Sequence, residues 1–225
     1  MGEGTQVTFT QSPASTSLSG LIAKVANYVL APSDSDVSAI ATDSINDSIR
    51  QLNTRNWAWM RKWSDITLAA NVQEFPLPTD FKNIRRLEIL DNSATAKVVG
   101  SLGYIDPQSF SEIYLDRSTV GSPERYTVNN EFASGVLTMN CSVSPDFFAA
   151  YPKIRLRYWS RSPYMINGTS TFSGPTEAES FIVWDARATV ASHWSPNKVA
   201  YAASRSEKIW KQLLIEDVKR DLAGW

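Results

Sequence analysis

The chain has 225 residues, 43% of them hydrophobic and 20% charged, with a formal net charge of −1. That is enough apolar material for one substantial core, or for a helical part and a β part that share one. The near-neutral balance lacks the basic excess required by a protein whose main work is to grip phosphates. The lone Cys141 excludes an intramolecular disulfide, and no apolar run reaches membrane-spanning length.

Residues 1–17 are rich in Gly, Ser, Thr and Gln and read as a flexible arm or one peripheral strand. Leu18, Leu21, Ile22, Val25 and Val29 then recur at helical spacing and stop before Pro32. Ser33-Asp34-Ser35-Asp36 offers N-caps to a second helix, whose apolar face is Val37, Ile40, Ala41, Ile45, Ile49 and Leu52. Three tryptophans follow, Trp57, Trp59 and Trp63, then a polar spacer and an aromatic strand end at Phe75. Pro76 and Pro78 flank Leu77 and restrict the backbone to turn or extended geometry. Thr79 or Asp80 is expected to bond local backbone N–H groups, and Phe81 to re-enter the core.

The middle of the chain reads as strands: 81–90, a short Val98-Val99 partner, a Tyr126–Val128 and Val136–Met139 hairpin, and Ile154–Trp159. One short helix is expected after Asp106-Pro107, with Phe110, Ile113 and Tyr114 on its apolar face. Helices return from Ala178 to His193, apolar nearly all round, and from Lys198 to Asp221. Gly224 suits a helix stop and leaves Trp225 beyond it. The expected class is α+β: N- and C-terminal helix pairs forming one bundle, with a central antiparallel β-rich insertion. The expected organisation is an arm over 1–17 and a single domain over 18–225. Within that domain helices cover 18–63, the β-rich part 64–173, and helices again 174–225.

No catalytic, cofactor or metal site emerges from the residues. His193 is the only histidine, so no His cluster can hold a metal, and Cys141 alone makes no thiolate site. No Walker A, GxGxxG or GxSxG motif occurs. Asp65, Glu74, Asp80 and Glu88 stand near aromatics and keep a carboxylate-based, cell-wall-degrading enzyme open as an alternative. Arg50, Arg55, Arg61, Lys62, Arg85 and Arg86 surround the tryptophans. They keep open a nucleic-acid-binding packaging accessory, although arginine stems packed over rings read the same way.

The order from Ile45 to Phe81 carries the most information. A helix runs into an aromatic cluster, a strand end and the Leu77-Pro78-Thr79-Asp80-Phe81 turn, and a long C-terminal helical pair follows. From Leu21 to its end, the chain resembles the head-to-tail adaptor (connector) proteins of tailed bacteriophages, in particular short-tailed ones. The resemblance implies a structural virion protein at the head–tail junction, made in the host cytoplasm, without cofactor or membrane partner. It implies a homo-oligomeric ring, a dodecamer, joining the portal protein to a tail or nozzle protein. Genomic DNA would cross its lumen without sequence recognition. It places portal binding on the C-terminal segment, at Lys219, Arg220, Leu222 and Trp225. Trp57, Trp59, Trp63, Pro76, Pro78 and Phe81 are expected to form a structural joint where helix gives way to sheet.

Overall fold

The computed structural model describes residues 14–115, 119–129 and 135–223. It begins with β1 (Ala14–Ser17), α1 (Leu18–Ala26), a 3-10 turn (Asn27–Val29) and α2 (Ser35–Leu52). After a second 3-10 turn (Ala58–Met60) come β2 (Arg61–Thr67), β3 (Glu74–Pro76), β4 (Phe81–Leu90), β5 (Val98–Tyr104) and α3 (Pro107–Ile113). Next are β6 (Val120–Gly121), β7 (Arg125–Asn129), β8 (Val136–Met139), β9 (Ser142–Val143), α4 (Pro145–Ala150) and β10 (Lys153–Ser160). β11 (Thr171–Gly174), α5 (Thr176–Trp194), a 3-10 turn (Pro196–Lys198) and α6 (Val199–Ala223) complete the chain. It divides into two compact units, one from Met1–Trp59 with Ser162–Trp225, the other from Met60–Arg161. Of the expected arm, residues 1–13 lie outside the described residues, and the last four form β1.

In the helical unit, caps fix the helix starts. The Ser17 hydroxyl accepts the Gly20 N–H at 3.2 Å, and the Asp34 carboxylate accepts those of Asp36 and Val37 at 2.8 and 3.2 Å. α2 buries Val37, Ala41, Ile45, Ile49 and Leu52 completely. α5 packs against α1, α2 and α6, which explains why it is apolar nearly all round. Its two buried-side carboxylates hold neighbouring elements. Asp185 accepts from Ser48 on α2 at 2.8 Å and from Ser206 on α6 at 3.2 Å. Glu179 accepts from Thr16 at 2.9 Å and from Lys24 at 2.5 Å, so β1 and α1 are tied to α5. β1 pairs antiparallel with β11, a strand that the sequence pattern did not disclose.

In the sheet unit, seven strands run in the order β2-β10-β4-β5-β7-β8-β3. Leu68, Phe75, Leu87, Leu102, Tyr126, Leu137, Met139, Ile154 and Leu156 form its core. Four expectations are corrected here. The sheet is not purely antiparallel, since β5 and β7 pair in parallel, as do the short β6 and β9. The expected polar spacer after Trp63 is instead part of β2, so the helical stretch does not continue to residue 63. Two short helices occur rather than one, α4 being started by the Ser144 hydroxyl, which accepts the Phe147 N–H at 3.2 Å. Ile113 does not join the apolar face of α3, being exposed while Phe110 is fully buried.

β10 is the spine of this sheet. Ile154, Leu156, Tyr158 and Ser160 point into the core, and the alternate residues Arg155, Arg157 and Trp159 lie on the opposite face. Its partner β4 carries two register shifts. Arg157 stands opposite Arg86 and Tyr158 opposite Ile84, so Arg85 is an extra residue, and Lys82 is skipped in the same way.

Candidate protein interaction surfaces

The tryptophans separate into different environments. Trp57 is fully buried; its ring meets Trp210 edge-on at 5.4 Å, and Trp210 in turn meets Phe181 at 4.9 Å. Trp59 is half-buried against Phe172 at 6.2 Å, beside Gly174. Trp63 lies on β2 and is 59% exposed, so it contributes little buried surface to a joint. The sequence grouped the three by proximity along a presumed helix. The strand that begins at Arg61 sends Trp63 to the sheet surface instead.

The proline turn holds the sheet together at a distance. The Phe81 N–H donates to the Pro78 carbonyl at 2.9 Å, and Phe81 is buried as expected. Asp80 does not bond local N–H groups with its side chain. One oxygen accepts from the Tyr158 hydroxyl at 2.9 Å and the other from Lys62 at 2.6 Å, which links the turn to β10 and β2. Pro76 sits exposed on β3, the outermost strand of the sheet, where a missing N–H breaks no ladder.

The outer face of β2, β10 and β4 is a charged lattice. Arg155 makes a two-point contact with Asp65 at 2.8 and 3.0 Å, and its guanidinium lies over the Trp63 ring at 4.3 Å. Asp65 holds that guanidinium above the usual arginine range. Arg157 and Arg86 flank the buried Glu88 at 2.9 and 3.7 Å, which offsets the like-charge pair across the strands. Arg85 leans over Trp159 at 5.2 Å, and burial, then Arg61 and Arg157, lower its pKa. Asp65, Asp80 and Glu88 are therefore each engaged by a cation on another strand, and Glu74 lies exposed on β3. Of the arginines near the tryptophans, Arg55 covers Trp57 at 5.5 Å and Arg50 pairs with Asp47.

A second cation–aromatic cluster lies on the helical unit. Trp184 meets Tyr28 and Tyr201 edge-on, each at 5.7 Å. Arg187 lies over Trp184 at 4.4 Å and over Tyr28 at 5.2 Å, and its pKa is lowered by burial. Arg205 also covers Trp184 at 5.6 Å, and Lys198 lies 5.2 Å from the Tyr28 ring. Sequence reasoning missed this group because its members come from three segments that meet only in the fold. Their one-dimensional trace, Trp184 to Arg187 and Lys198-Tyr201-Arg205 at helical spacing, looks like any amphipathic face.

The remaining expected residues are placed as follows. Lys219 pairs with Glu216 at 2.9 Å and Arg220 approaches Glu177 at 3.9 Å. The Leu222 side chain and Trp225 lie outside the described residues. Cys141 is buried, and burial, then Glu124, raise its pKa. His193 is exposed near the end of α5, its ring 5.6 Å from Trp194. Among the described residues no cluster of metal-binding side chains occurs, and no helix is long and apolar enough to cross a membrane.

Aromatic and arginine groups at the surface, as in both clusters, are of the kind enriched in protein–protein interfaces. The SU10 adaptor protein model matches residues 16–219, so the chain belongs to that family. It is a bacteriophage adaptor, a structural component of the virion that works among head and tail proteins. No curated protein matches the chain.

Proposed function

We propose that this chain is the head-to-tail adaptor of a short-tailed phage, assembling as a twelve-membered ring between the portal and a tail or nozzle protein. The observation that carries this reading is the family match over 16–219, nearly the whole chain. In this reading residues 18–225 act as a single adaptor domain, and the four long helices serve as one bundle bearing the sheet as an insertion. The work is recognition and sealing, with no catalysis and no cofactor. A net charge of −1 suits a channel that DNA crosses without sequence recognition or tight grip.

Portal binding falls to the C-terminal segment, with Leu222 and Trp225 as apolar anchors and Lys219 and Arg220 as rim charges that steer docking. Trp57, Trp59, Trp63 and the Pro76, Pro78 and Phe81 turn stiffen the stretch where the chain leaves the helical unit. Each subunit contact in the ring would bury on the order of 1,000 Å² or more.

The test mixes the purified chain with the portal ring of its own phage and weighs the products. Twelve copies added per portal, seen as an extra ring by electron microscopy, is the expected result. A stable monomer that fails to bind the portal rejects the reading.

A further inference from the structure

A ring of identical subunits needs two different faces on each chain that complement each other. The helical unit carries such a pair. On α2, Asp36, Ala39 and Asp43 form an exposed stripe at spacing i, i+3, i+7. Neither carboxylate has an ion-pair partner among the described residues. Beside and along α6, Lys198, Tyr201 and Arg205 repeat the same spacing with opposite charge. Two helical turns, about 10 Å, separate the outer members of each triplet. Tyr201 is 59% exposed between its two cations, and the small Ala39 lies between the two acids.

The cationic side is under-satisfied. Arg187, Lys198 and Arg205 have no carboxylate partner among the described residues. Arg187 donates to the Lys24 carbonyl at 2.9 and 3.2 Å, and Lys198 to the Tyr28 carbonyl at 2.6 Å. The Arg205 Nε–H is buried and has no hydrogen-bond partner. Further along α6 Lys208 adds one exposed cation, after which Glu207 pairs with Lys211 and Glu216 with Lys219, so the basic track is too short for a nucleic-acid backbone to follow. A short acidic patch fits better, and Trp, Tyr and Arg are the residues that anchor protein interfaces.

We infer that the Lys198-Tyr201-Arg205 face of one subunit receives the Asp36-Ala39-Asp43 face of α2 from the next copy, with Tyr201 seated over Ala39 and each carboxylate against a cation. The inference rests on the ring reading above and assigns its subunit contact.

The experiment assembles full-length chains on the portal ring. Chains carrying Ala39→Cys are mixed in equal amounts with chains carrying Tyr201→Cys and oxidised. Disulfides form only between closely approaching Cα atoms, within about 7 Å. The native Cys141 is buried. The expected product is a covalent dimer containing one chain of each kind, and neither variant alone should give it. In parallel, Arg205→Glu and Asp43→Arg should each lose ring assembly, and the two together in one chain should regain it. Wild-type rings without the mixed dimer and without charge-swap rescue overturn the inference and leave the ring reading standing. Absence of wild-type rings removes both. Normal rings from Arg205→Glu with loss of duplex DNA binding would assign the cluster to phosphate instead and overturn the inference.

Discussion

The indole N–H of Trp57 donates to the Leu52 carbonyl at 2.7 Å and so closes the end of α2. The last carbonyls of a helix lack intrahelical partners, and burial makes an unmet one costly. A fully buried tryptophan here fills volume and serves as a C-terminal cap at once. Trp57→Ala is expected to cost ~3–5 kcal/mol in urea unfolding. Trp57→Phe keeps most of the volume but leaves the Leu52 carbonyl only the longer bond from the Arg55 N–H at 3.3 Å, at about 0.5–1.5 kcal/mol. Trp63→Ala should cost under about 1 kcal/mol, because it loses only a surface contact with Arg155. Equal losses at Trp57 and Trp63 would contradict this division.

Gly174 is required by close approach rather than by backbone conformation. A Cβ there would lie 2.6 Å from Cζ of Phe172 and 3.3 Å from Trp59. Phe172 is 1% exposed, so its ring has little room to retreat. Gly174→Ala is expected to destabilise the protein by ~1–3 kcal/mol through overpacking. A thermal melt unchanged by this substitution would show that the Phe172 ring can move aside.

Two buried tyrosines make stability fall at high pH. Burial raises the pKa of Tyr126, with Tyr104 adding to it; burial, then the bond to Asp80, raises that of Tyr158. A folded-state pKa above the unfolded value means that the folded protein holds its proton longer. The stabilisation is complete below the unfolded tyrosine pKa of about 10 and is lost as pH rises beyond it towards the folded value. Urea midpoints should therefore drop on going from about pH 9 to about pH 11, and the drop should shrink in Tyr126→Phe and in Tyr158→Phe. A drop of the same size in both variants would mean that other groups drive it.

The proposed portal-binding role of the C-terminal segment can be tested apart from stability. Lys219 and Arg220 lie near acids of their own chain, so they add little to the fold. Deleting Leu222 to Trp225 is expected to leave melting unchanged and to abolish portal binding. Retained binding would remove these residues from the docking site.

Sequence periodicity located α1, α2, α5 and α6 because each presents a stripe or an apolar run at 3.6-residue spacing. The core face of β10, Ile154-Leu156-Tyr158, was equally legible through alternation. β2 was not, because Arg61-Lys62-Trp63-Ser64-Asp65 has no apolar face of its own. Its stability comes from pairing along β10, and its charges belong to partners distant in sequence. The parallel β5–β7 pair was hidden for a similar reason, since strand direction is set by the crossover that α3 makes between them. The Asp80 turn shows a local motif with a non-local role: prolines predicted its bend, but not that Tyr158 and Lys62 would bind its carboxylate.

The division of the chain into Met1–Trp59 with Ser162–Trp225, around Met60–Arg161, has a consequence for synthesis on the ribosome. The sheet unit is continuous in sequence and can fold as soon as it has emerged. The helical unit cannot, because α1 and α2 must wait for α5, which begins at Thr176, far beyond the end of α2 at Leu52. Until then the apolar face of α2 has only α1 of its own helical unit to cover it, and that interval is when a nascent adaptor is most exposed to aggregation or in need of a chaperone.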